Sequence, residues 1–350
     1  MSTPHGQLLI TEHTYRSARH TTGYLQAGPD DGPVIVFVHG WPELSISWRH
    51  QIPVFAGLGF RVIAPDMRGY GRSMTYDRIE AFAQSEIVAD MIELLDHVAG
   101  PESAAVWVGH DWGSPVVWNI ASHHPDRCRA VASLCVPYAT LERGRDHMLD
   151  LVDRSVYPEA EFPAGQWDYM YYYEENFERA VEVFGANAYN TVKALFRKGN
   201  SKGMGKPAGT ALVRSSGGWV GGANEFPDIP MDPDVVTEAD LRSYAAGLDR
   251  NGFFGPDAWY MNHGQNEAYS AMVVSDGLLD LPVLFLHALY DYTCETTNSR
   301  MAEPMRGLCP DLTEYTLQTG HWMAQEKPTE VNGHLARWLA DHALWPKEEI

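Results

Sequence analysis

The stretch VWVGHDWGSP, residues 106–115, decides the fold. A short apolar run ends at Gly109, and Ser114 and Pro115 begin a stretch that is typical of a helix. Between them, Asp111 stands at the centre of a Gly-x-nucleophile-x-Gly pattern, which indicates a sharp strand-to-helix turn that exposes its middle side chain. Asp is also a favoured helix N-cap residue. Because glycines flank it on both sides at this spacing, we predict that Asp111 is a nucleophile.

An aspartate nucleophile indicates a different reaction from a serine nucleophile. An aspartic acid side chain in water has a pKa near ~3.9, so it is already an anion at neutral pH. It can displace a leaving group at saturated carbon and form an ester of its own side chain. A general base is then needed only when water hydrolyses that ester. The site therefore still requires a histidine with an acidic partner.

Both partners follow predicted strands in the second half of the chain. Asp291 comes just after the run 283–286, and His321 lies in the loop after the run 312–317. The chain order nucleophile, acid, histidine is that of the α/β-hydrolase fold. We predict that His321 is the general base and that Asp291 orients it. The alternatives are a surface-loop role for His321 and an acid after the strand that ends at Cys135, although CVPYAT offers no carboxylate there.

Short β-prone runs alternate with helical patterns through much of the chain. The predicted strands are bounded by Gly, Pro or Asp and cover residues 34–38, 61–64, 104–108, 130–135, 283–286 and 312–317. Apolar residues at helical spacing predict amphipathic helices over 85–98 and near 331–342. This alternation predicts an α/β-hydrolase fold, in which a mainly parallel central sheet is flanked by helices.

The region 139–274 breaks the alternation. It is rich in Tyr, Trp and charged residues and contains two glycine-rich segments, SKGMGKPAGT and SSGGWVGG. Neither segment has the Lys-Ser/Thr ending of a phosphate-binding loop, so we interpret both as mobile loops. We predict that 139–274 is a mostly helical cap inserted into an α/β-hydrolase core formed by 1–138 and 275–350.

The segment FVHGWPE follows the first strong strand. Its position predicts that the backbone N–H groups of Trp41 and Trp112 form an oxyanion hole. We expect the side chains of Trp41, Pro42, Trp112 and Trp322 to line an apolar substrate pocket, and Pro42 to fix a tight turn, with a cis peptide bond as one form of it. His39 has two interpretations, a second catalytic base or a hydrogen-bonded structural histidine, and the second is favoured.

The composition excludes several classes of partner. The chain has 350 residues, a hydrophobic content of 45% and a formal net charge of −20, which argues against a nucleic-acid partner because phosphate-binding surfaces need clustered Lys and Arg. No apolar run reaches membrane-spanning length, and MSTPHGQLLITEHTY does not have the pattern of a signal peptide. The four cysteines lack metal-ligand spacing and are expected to be reduced. We expect a cytoplasmic protein without cofactor or metal; a homodimer is compatible with the sequence.

Several segments resemble the soluble epoxide hydrolases of the α/β-hydrolase superfamily: HGWPELSISWRHQIP, DMRGYGRS, GHDWGS, RAVASL and GHWMAQEKPTEVN. The resemblance covers nearly the whole chain and implies conversion of an epoxide and water to a vicinal diol through an ester on Asp111. Members of this family use two cap tyrosines to hydrogen-bond the epoxide oxygen. The resemblance places them at Tyr260 in GFFGPDAWYMN and at Tyr169 in WDYMYYYEENFE. The neighbours Tyr171, Tyr172 and Tyr173 leave the register of the first one open.

Two other functions compete with this interpretation. Haloalkane dehalogenases share GHDWG, so a haloalkane or haloacid dehalogenase with the same nucleophile is the alternative. Trp41 stands where many dehalogenases have a halide-binding Asn, and this favours an epoxide, as do the cap tyrosines. A non-catalytic receptor is disfavoured by the complete set of Asp111, Asp291 and His321. We expect a small epoxide substrate, apolar or aromatic; its identity and its role, detoxification or biosynthesis, stay open.

Overall fold

The computed structural model describes residues 9–346, so residues 1–8 and 347–350 of the predicted core lie outside the described part. One eight-stranded sheet has the spatial order β1-β2-β4-β3-β5-β6-β7-β8. β2 pairs antiparallel with both of its neighbours, and the remaining pairings are parallel. The strands are β1 (Thr11–Arg16), β2 (Thr21–Ala27), β3 (Val34–Val38), β4 (Arg61–Pro65), β5 (Ala105–His110), β6 (Cys128–Leu134), β7 (Val283–Ala288) and β8 (Leu312–Leu317).

The described residues form twelve α-helices. Those of the two core segments are α1 (Ile52–Gly57), α2 (Gln84–Ala99), α3 (Gly113–His123), α10 (Glu303–Leu308), α11 (Met323–Glu326) and α12 (Pro328–Asp341). Those between β6 and β7 are α4 (Arg145–Leu149), α5 (Asp168–Gly185), α6 (Ala188–Leu195), α7 (Glu238–Asn251), α8 (Phe254–Ala258) and α9 (His263–Ser270). Among residues 9–346, none of these helices combines the length and the apolar character needed to cross a membrane.

The fold confirms the predicted α/β-hydrolase sheet. All residues of β3, β5 and β7 are buried, which explains why these strands are short apolar runs rather than alternating patterns. The sequence did not predict β1 and β2. The exposure of β1 alternates residue by residue and its sequence, TEHTYR, is polar, so an edge strand of this kind lacks the apolar run that marks the central strands.

The predicted cap, 139–274, lies within the connection between β6 and β7. The hydrogen bonds that join it to core loops include two donated by core tryptophans. The indole N–H of Trp322 donates to the backbone oxygen of Leu195 at 2.8 Å, and the indole N–H of Trp41 donates to Asp257 Oδ1 at 2.9 Å. Because both tryptophans follow the carboxyl ends of parallel strands, these bonds place the segment over that edge of the sheet, where α/β proteins bind ligands.

The turn between β5 and α3 is crowded. Asp111 has a φ of +50°, a left-handed conformation that few residues other than glycine adopt. A Cβ on Gly109 would lie 2.5 Å from the backbone oxygen of Gly113. A Cβ on Gly113 would lie 2.7 Å from the carbonyl carbon of Val38. The turn therefore packs directly against the end of β3, and both glycines are required for this approach.

We predict that Gly113→Ala destabilises the protein, because the added methyl group collides with backbone rather than with a flexible side chain. The expected loss in free energy of unfolding is about 1–3 kcal/mol, measured by urea unfolding. Gly333→Ala is the matched control, since Gly333 is exposed in α12 and a Cβ there meets nothing within 4 Å. Equal stabilities of the two variants would contradict the packing described for the turn.

Candidate active site

Three polar side chains from three strand ends meet at the carboxyl edge of the sheet. Asp111 follows β5, Asp291 follows β7 and His321 follows β8. His321 Nδ1–H donates to Asp291 Oδ2 at 2.6 Å, and His321 Nε2 lies 3.4 Å from Asp111 Oδ2. The structure thus brings together the three residues that the sequence predicts as nucleophile, acid and base, in the relative positions that those roles require.

Hydrogen bonds and charge hold Asp291 ionised. Its Oδ1 accepts from the backbone N–H groups of Thr293 at 3.1 Å and Cys294 at 2.9 Å. Burial raises the pKa of this carboxyl, but the adjacent His321 and these hydrogen bonds lower it below its ordinary value. Burial in turn lowers the pKa of His321, but Asp291 and Asp111 raise it well above its ordinary value. Both acidic side chains therefore favour the protonated form of His321.

The loop after β3 supplies a hydrogen-bond donor to the nucleophile. The backbone N–H of Trp41 donates to Asp111 Oδ1 at 2.6 Å. A Cβ on Gly40 would contact Asp111 Oδ1 and would lie 2.6 Å from the backbone nitrogen of Trp112. The two predicted oxyanion-hole nitrogens and one carboxylate oxygen thus surround Gly40, while Asp111 Oδ2 faces His321. This arrangement can hold one oxygen of Asp111 and leave the other free to react.

A cavity of about 180 Å³ opens above the carboxylate. It contains both Asp111 and His321, whereas a larger cavity of about 400 Å³ near Tyr157 and Tyr292 contains neither, so the smaller one is the candidate site. Its wall is mostly aromatic and apolar and is formed by Trp41, Asp111, Tyr169, Leu195, Thr210, Trp219, Tyr260, Thr293, Cys294, His321 and Trp322.

Both predicted cap tyrosines lie in this wall. The rings of Tyr169 and Tyr260 are 5.7 Å apart. Burial and the nearby Asp111 raise the pKa of both phenols well above the ordinary value, so both remain protonated hydrogen-bond donors. The other three candidates in the register, Tyr171, Tyr172 and Tyr173, are not part of this wall; Tyr171 packs under the guanidinium of Arg145, at 3.7 Å, and Tyr173 stacks on Tyr260, at 4.4 Å.

Other predicted residues of this region fall in different places. Trp41 and Trp322 lie in the cavity wall, but Pro42 and Trp112 do not; Trp112 is 1% exposed and packs edge-on against Tyr260 at 5.1 Å. The Trp41–Pro42 peptide bond is cis. His39 is buried, its Nδ1–H donates to the backbone oxygen of Gly40 and its Nε2 accepts from the N–H of Met67, both at 2.9 Å. These bonds agree with the structural interpretation of His39.

A buried acid–histidine pair behind the triad was not predicted. Glu43 Oε2 accepts from His110 Nδ1–H at 2.7 Å and from the backbone N–H of Gly40 at 3.0 Å. His110 Nε2–H donates to the backbone oxygen of His321 at 2.8 Å. The pair therefore links three parts of the site: the loop after β3 that contains Gly40, His110 next to Asp111, and the loop after β8 that contains His321. The only available signal was adjacency, since both residues are neighbours of predicted site residues in the sequence.

The pair is ionised. Burial lowers the pKa of His110, but Glu43 beside it raises this pKa to about 10. Burial raises the pKa of Glu43, but His110 lowers it to about 2. Both ring nitrogens of His110 donate hydrogen bonds, as the imidazolium form requires. A positive charge thus lies directly behind His321, whose ring centre is 4.7 Å from that of His110.

Trp219 and Cys294 are among the cavity residues that the sequence analysis did not place in the site. Trp219 lies in the glycine-rich segment SSGGWVGG, whose glycines at 217, 218, 221 and 222 all have positive φ, and its indole ring packs edge-on against Tyr169 at 5.5 Å. Cys294 lies in the cavity wall, and burial raises the pKa of its thiol. The one feature of the sequence that could have pointed to Trp219 as a site residue was its position as an aromatic residue between pairs of glycines.

Potential metal ligands in the described residues coincide with the triad. The donor atoms of His110, Cys135 and His321, and those of Asp291, Cys294 and His321, lie within 4.8 Å of one another. The ring nitrogens of His110 and His321 are already committed to the hydrogen bonds and ion pairs given above. We assign both groups of side chains to the triad and its support.

Comparison with known proteins identifies the family of the chain. A family model for the α/β-hydrolase fold matches residues 33–328. Epoxide hydrolase A of Mycobacterium tuberculosis is 34% identical over 90% of this chain and 92% of its own. Bifunctional epoxide hydrolase 2 of Sus scrofa is 33% identical over 90% of this chain, which spans 53% of that protein. The crystal structure of epoxide hydrolase A from Mycobacterium thermoresistibile superposes with a TM-score of 0.77 at 30% identity, over 95% of this chain and 98% of that one.

The fold and the site define a hydrolase of the α/β-hydrolase class. Within that class, the chain belongs to the epoxide hydrolase family, as the resemblance in the sequence implied.

We predict that Glu43→Gln lowers the free energy of unfolding by at least about 1 kcal/mol near pH 6, because it removes a charged hydrogen bond. The pKa of His110 is raised on folding, so its stabilisation is complete below its unfolded pKa near 6.5 and is lost as pH rises through about 10. The difference between wild type and variant should therefore shrink from pH 6 to pH 10 in urea unfolding.

Glu314→Gln is the control for this experiment. Glu314 also pairs with a histidine, His287, at 2.9 Å. Burial lowers the pKa of His287, however, so folding does not favour the protonated form of this histidine. Its stability difference should not decrease between pH 6.5 and 10. If the Glu43→Gln difference were also constant over that range, His110 would not be ionised.

Proposed function

We propose that the protein converts an epoxide and water to a vicinal diol through a covalent ester on Asp111. One observation carries the proposal: a single cavity holds the Asp111 carboxylate and His321 on its core side and the phenols of Tyr169 and Tyr260 on its cap side. An epoxide requires both, since a nucleophile attacks its carbon while a proton donor stabilises the oxygen that leaves.

In the first step, Asp111 Oδ2 attacks one carbon of the epoxide ring. The C–O bond of the ring breaks, and Tyr169 and Tyr260 stabilise the resulting alkoxide by donating hydrogen bonds and then a proton. Their raised pKa values keep both phenols protonated until the oxygen becomes basic. Meanwhile, Asp111 Oδ1 keeps its hydrogen bond from the backbone N–H of Trp41 and becomes the carbonyl oxygen of the ester.

In the second step, His321 activates water. Esterification removes the negative charge of Asp111, which is one of the causes that hold the proton on His321. The imidazolium then returns its proton to the tyrosinate through solvent and becomes a neutral base. It deprotonates a water molecule that attacks the ester carbonyl, and the N–H groups of Trp41 and Trp112 stabilise the oxyanion. Collapse releases the diol and restores the Asp111 carboxylate.

The cavity supports a small apolar or aromatic epoxide as the substrate. Its volume of about 180 Å³ and its wall of Trp, Tyr and Leu side chains suit an aryl or short alkyl group beside the ring. We further infer a cytoplasmic location from the four cysteines, all of which are free thiols. A homodimer is the oligomeric state that we propose to test by size-exclusion chromatography with light scattering.

The structure favours an epoxide over a haloalkane. A haloalkane needs donors for a departing halide, and the indole N–H of Trp41 is already bonded to Asp257 Oδ1 at 2.9 Å. The relatives reported above also carry epoxide hydrolase names. Dehalogenation with the same nucleophile is therefore the second candidate, and the tyrosine variants below distinguish it.

We predict that Asp111 carries the covalent ester. A single turnover of styrene oxide in ¹⁸O-labelled water, with enzyme in excess, should place the label in the carboxylate of Asp111, because water attacks the ester carbonyl carbon. His321→Gln should accumulate the ester, seen as a protein mass increased by one substrate molecule. Asp111→Ala is the control and should show no adduct. Diol formation without label in Asp111 would exclude the covalent route.

We predict that Tyr169→Phe and Tyr260→Phe each lower kcat for epoxide hydrolysis by about 10²-fold, since general acid assistance is worth roughly 10²–10⁴. Each change removes one hydroxyl from the cavity wall and keeps the ring. The measurement is steady-state diol formation from styrene oxide, alongside halide release from a chloroalkane of similar size.

Tyr171→Phe is the matched control for the tyrosine variants. Its ring packs under Arg145 outside the cavity and its hydroxyl lies 3.4 Å from Asp146, so kcat should stay within about twofold of wild type. Halide release that survives both cavity variants, in a protein that turns over no epoxide, would identify a dehalogenase instead.

A further inference from the structure

Asp257 is a buried acidic residue that the proposed reaction does not use. It lies in α8, three residues before Tyr260, and it is 0% exposed. Burial raises the pKa of its carboxyl well above the ordinary value, which outweighs the opposing effect of its hydrogen bond with Trp41. Burial therefore favours the neutral form of this carboxyl group, and its Oδ1 can accept a hydrogen bond in either form.

The hydrogen bond of Asp257 crosses from the cap to the core. The indole N–H of Trp41 donates to Asp257 Oδ1 at 2.9 Å, between residues 216 positions apart in the chain. Within the described residues, Asp257 Oδ2 and the buried hydroxyls of Tyr70 and Tyr173 have no hydrogen-bond partner. Burial is the main cause that raises the pKa of both phenols, and the smaller electrostatic effect of Asp257 on each of them means that the three groups share one buried polar region beside the cavity.

Trp41 connects Asp257 to the reacting atoms in two ways. Its backbone N–H donates to Asp111 Oδ1 at 2.6 Å. Its indole ring forms part of the cavity wall and packs edge-on against Tyr260, at 5.8 Å and 82°. A side chain that fixes the rotation of this indole ring therefore acts at once on the oxyanion hole and on the tyrosine that faces the epoxide.

We propose that Asp257 is a positioning residue, whose carboxyl oxygen holds the indole ring of Trp41 in place. The backbone N–H of Trp41 then stays directed at Asp111, and the edge of the indole ring stays against Tyr260. The inference rests on the proposed epoxide hydrolysis. Since the role needs only an acceptor oxygen for the indole N–H and no transferable proton, an amide at position 257 can replace the carboxyl group. An apolar side chain of similar size does not, because it leaves the indole N–H without a partner.

The experiment compares Asp257→Asn with Asp257→Leu, using styrene oxide as the probe and temperatures at which each variant is folded by circular dichroism. Asp257→Asn should keep kcat within about twofold of wild type and leave the pH profile of kcat unchanged. Asp257→Leu should lower kcat by about 10- to 100-fold with a smaller change in KM. The reason is that the backbone N–H of Trp41, once misplaced, stabilises the transition state less well, while its effect on substrate binding is smaller.

Trp41→Phe provides a double-mutant cycle, since it removes the indole N–H and retains an aromatic ring. In that background, Asp257→Leu should cause no further loss of kcat beyond about twofold. Equal losses in both backgrounds would overturn the proposal, as would wild-type kcat in Asp257→Leu. Loss of activity or a shifted pH profile in Asp257→Asn would instead mean that the carboxyl group ionises or transfers a proton, which also overturns it.

The same measurements distinguish failure of the positioning role from failure of the proposed function. If Asp257→Leu does not fold, Asp257→Asn in the wild-type and Trp41→Phe backgrounds still tests the inference, because it should be silent in both. If wild-type protein forms no diol, the proposed function fails. If wild type is active and the Asp257 variants behave otherwise than expected, only the positioning role fails.

Discussion

The left-handed conformation of Asp111 is the constraint on which the site depends. At a φ of +50° its carboxylate projects from the turn between β5 and α3 instead of lying along the strand. The backbone can hold this conformation because Gly40, Gly109 and Gly113 let three chain segments approach without Cβ atoms between them. The same approach brings the Trp41 N–H to one carboxylate oxygen and leaves the other facing His321. Strain at one residue thus sets the direction of attack.

Core and cap contribute opposite kinds of chemistry to the cavity. The core provides charge: Asp111, Asp291 and His321, supported by the ionised pair of Glu43 and His110. The cap provides neutral donors and apolar wall, since burial keeps its phenols protonated. Ring opening needs both at the same moment, so the relative position of the two segments is part of the active site. In the proposed reaction, the indole hydrogen bonds at 2.8 and 2.9 Å therefore help to hold the reacting groups of the two segments in place.

The sequence predicted those parts of the molecule that local pattern controls. The strands of the parallel sheet were located within two residues, because buried strands are short apolar runs between turn residues, and Asp111, Asp291 and His321 follow three of them. What it missed depends on side-chain direction and on contacts distant in sequence. Trp112 follows the nucleophile yet packs behind the cavity, whereas Trp219, from a glycine-rich loop, lies in its wall. No local pattern in the sequence predicts either.

The charge on His321 imposes an order on the two proposed steps. While Asp111 is a free carboxylate, it and Asp291 hold the imidazole protonated, and a protonated imidazole cannot activate water. In the proposed mechanism, ester formation converts Asp111 to a neutral group, which removes one of the causes that raise the pKa of His321, so this pKa falls. In that mechanism His321 becomes basic only after the covalent intermediate has formed. Water would then be activated when there is an ester to hydrolyse, because the negative charge that would make Asp111 a nucleophile also favours the protonated form of His321 until the attack is complete.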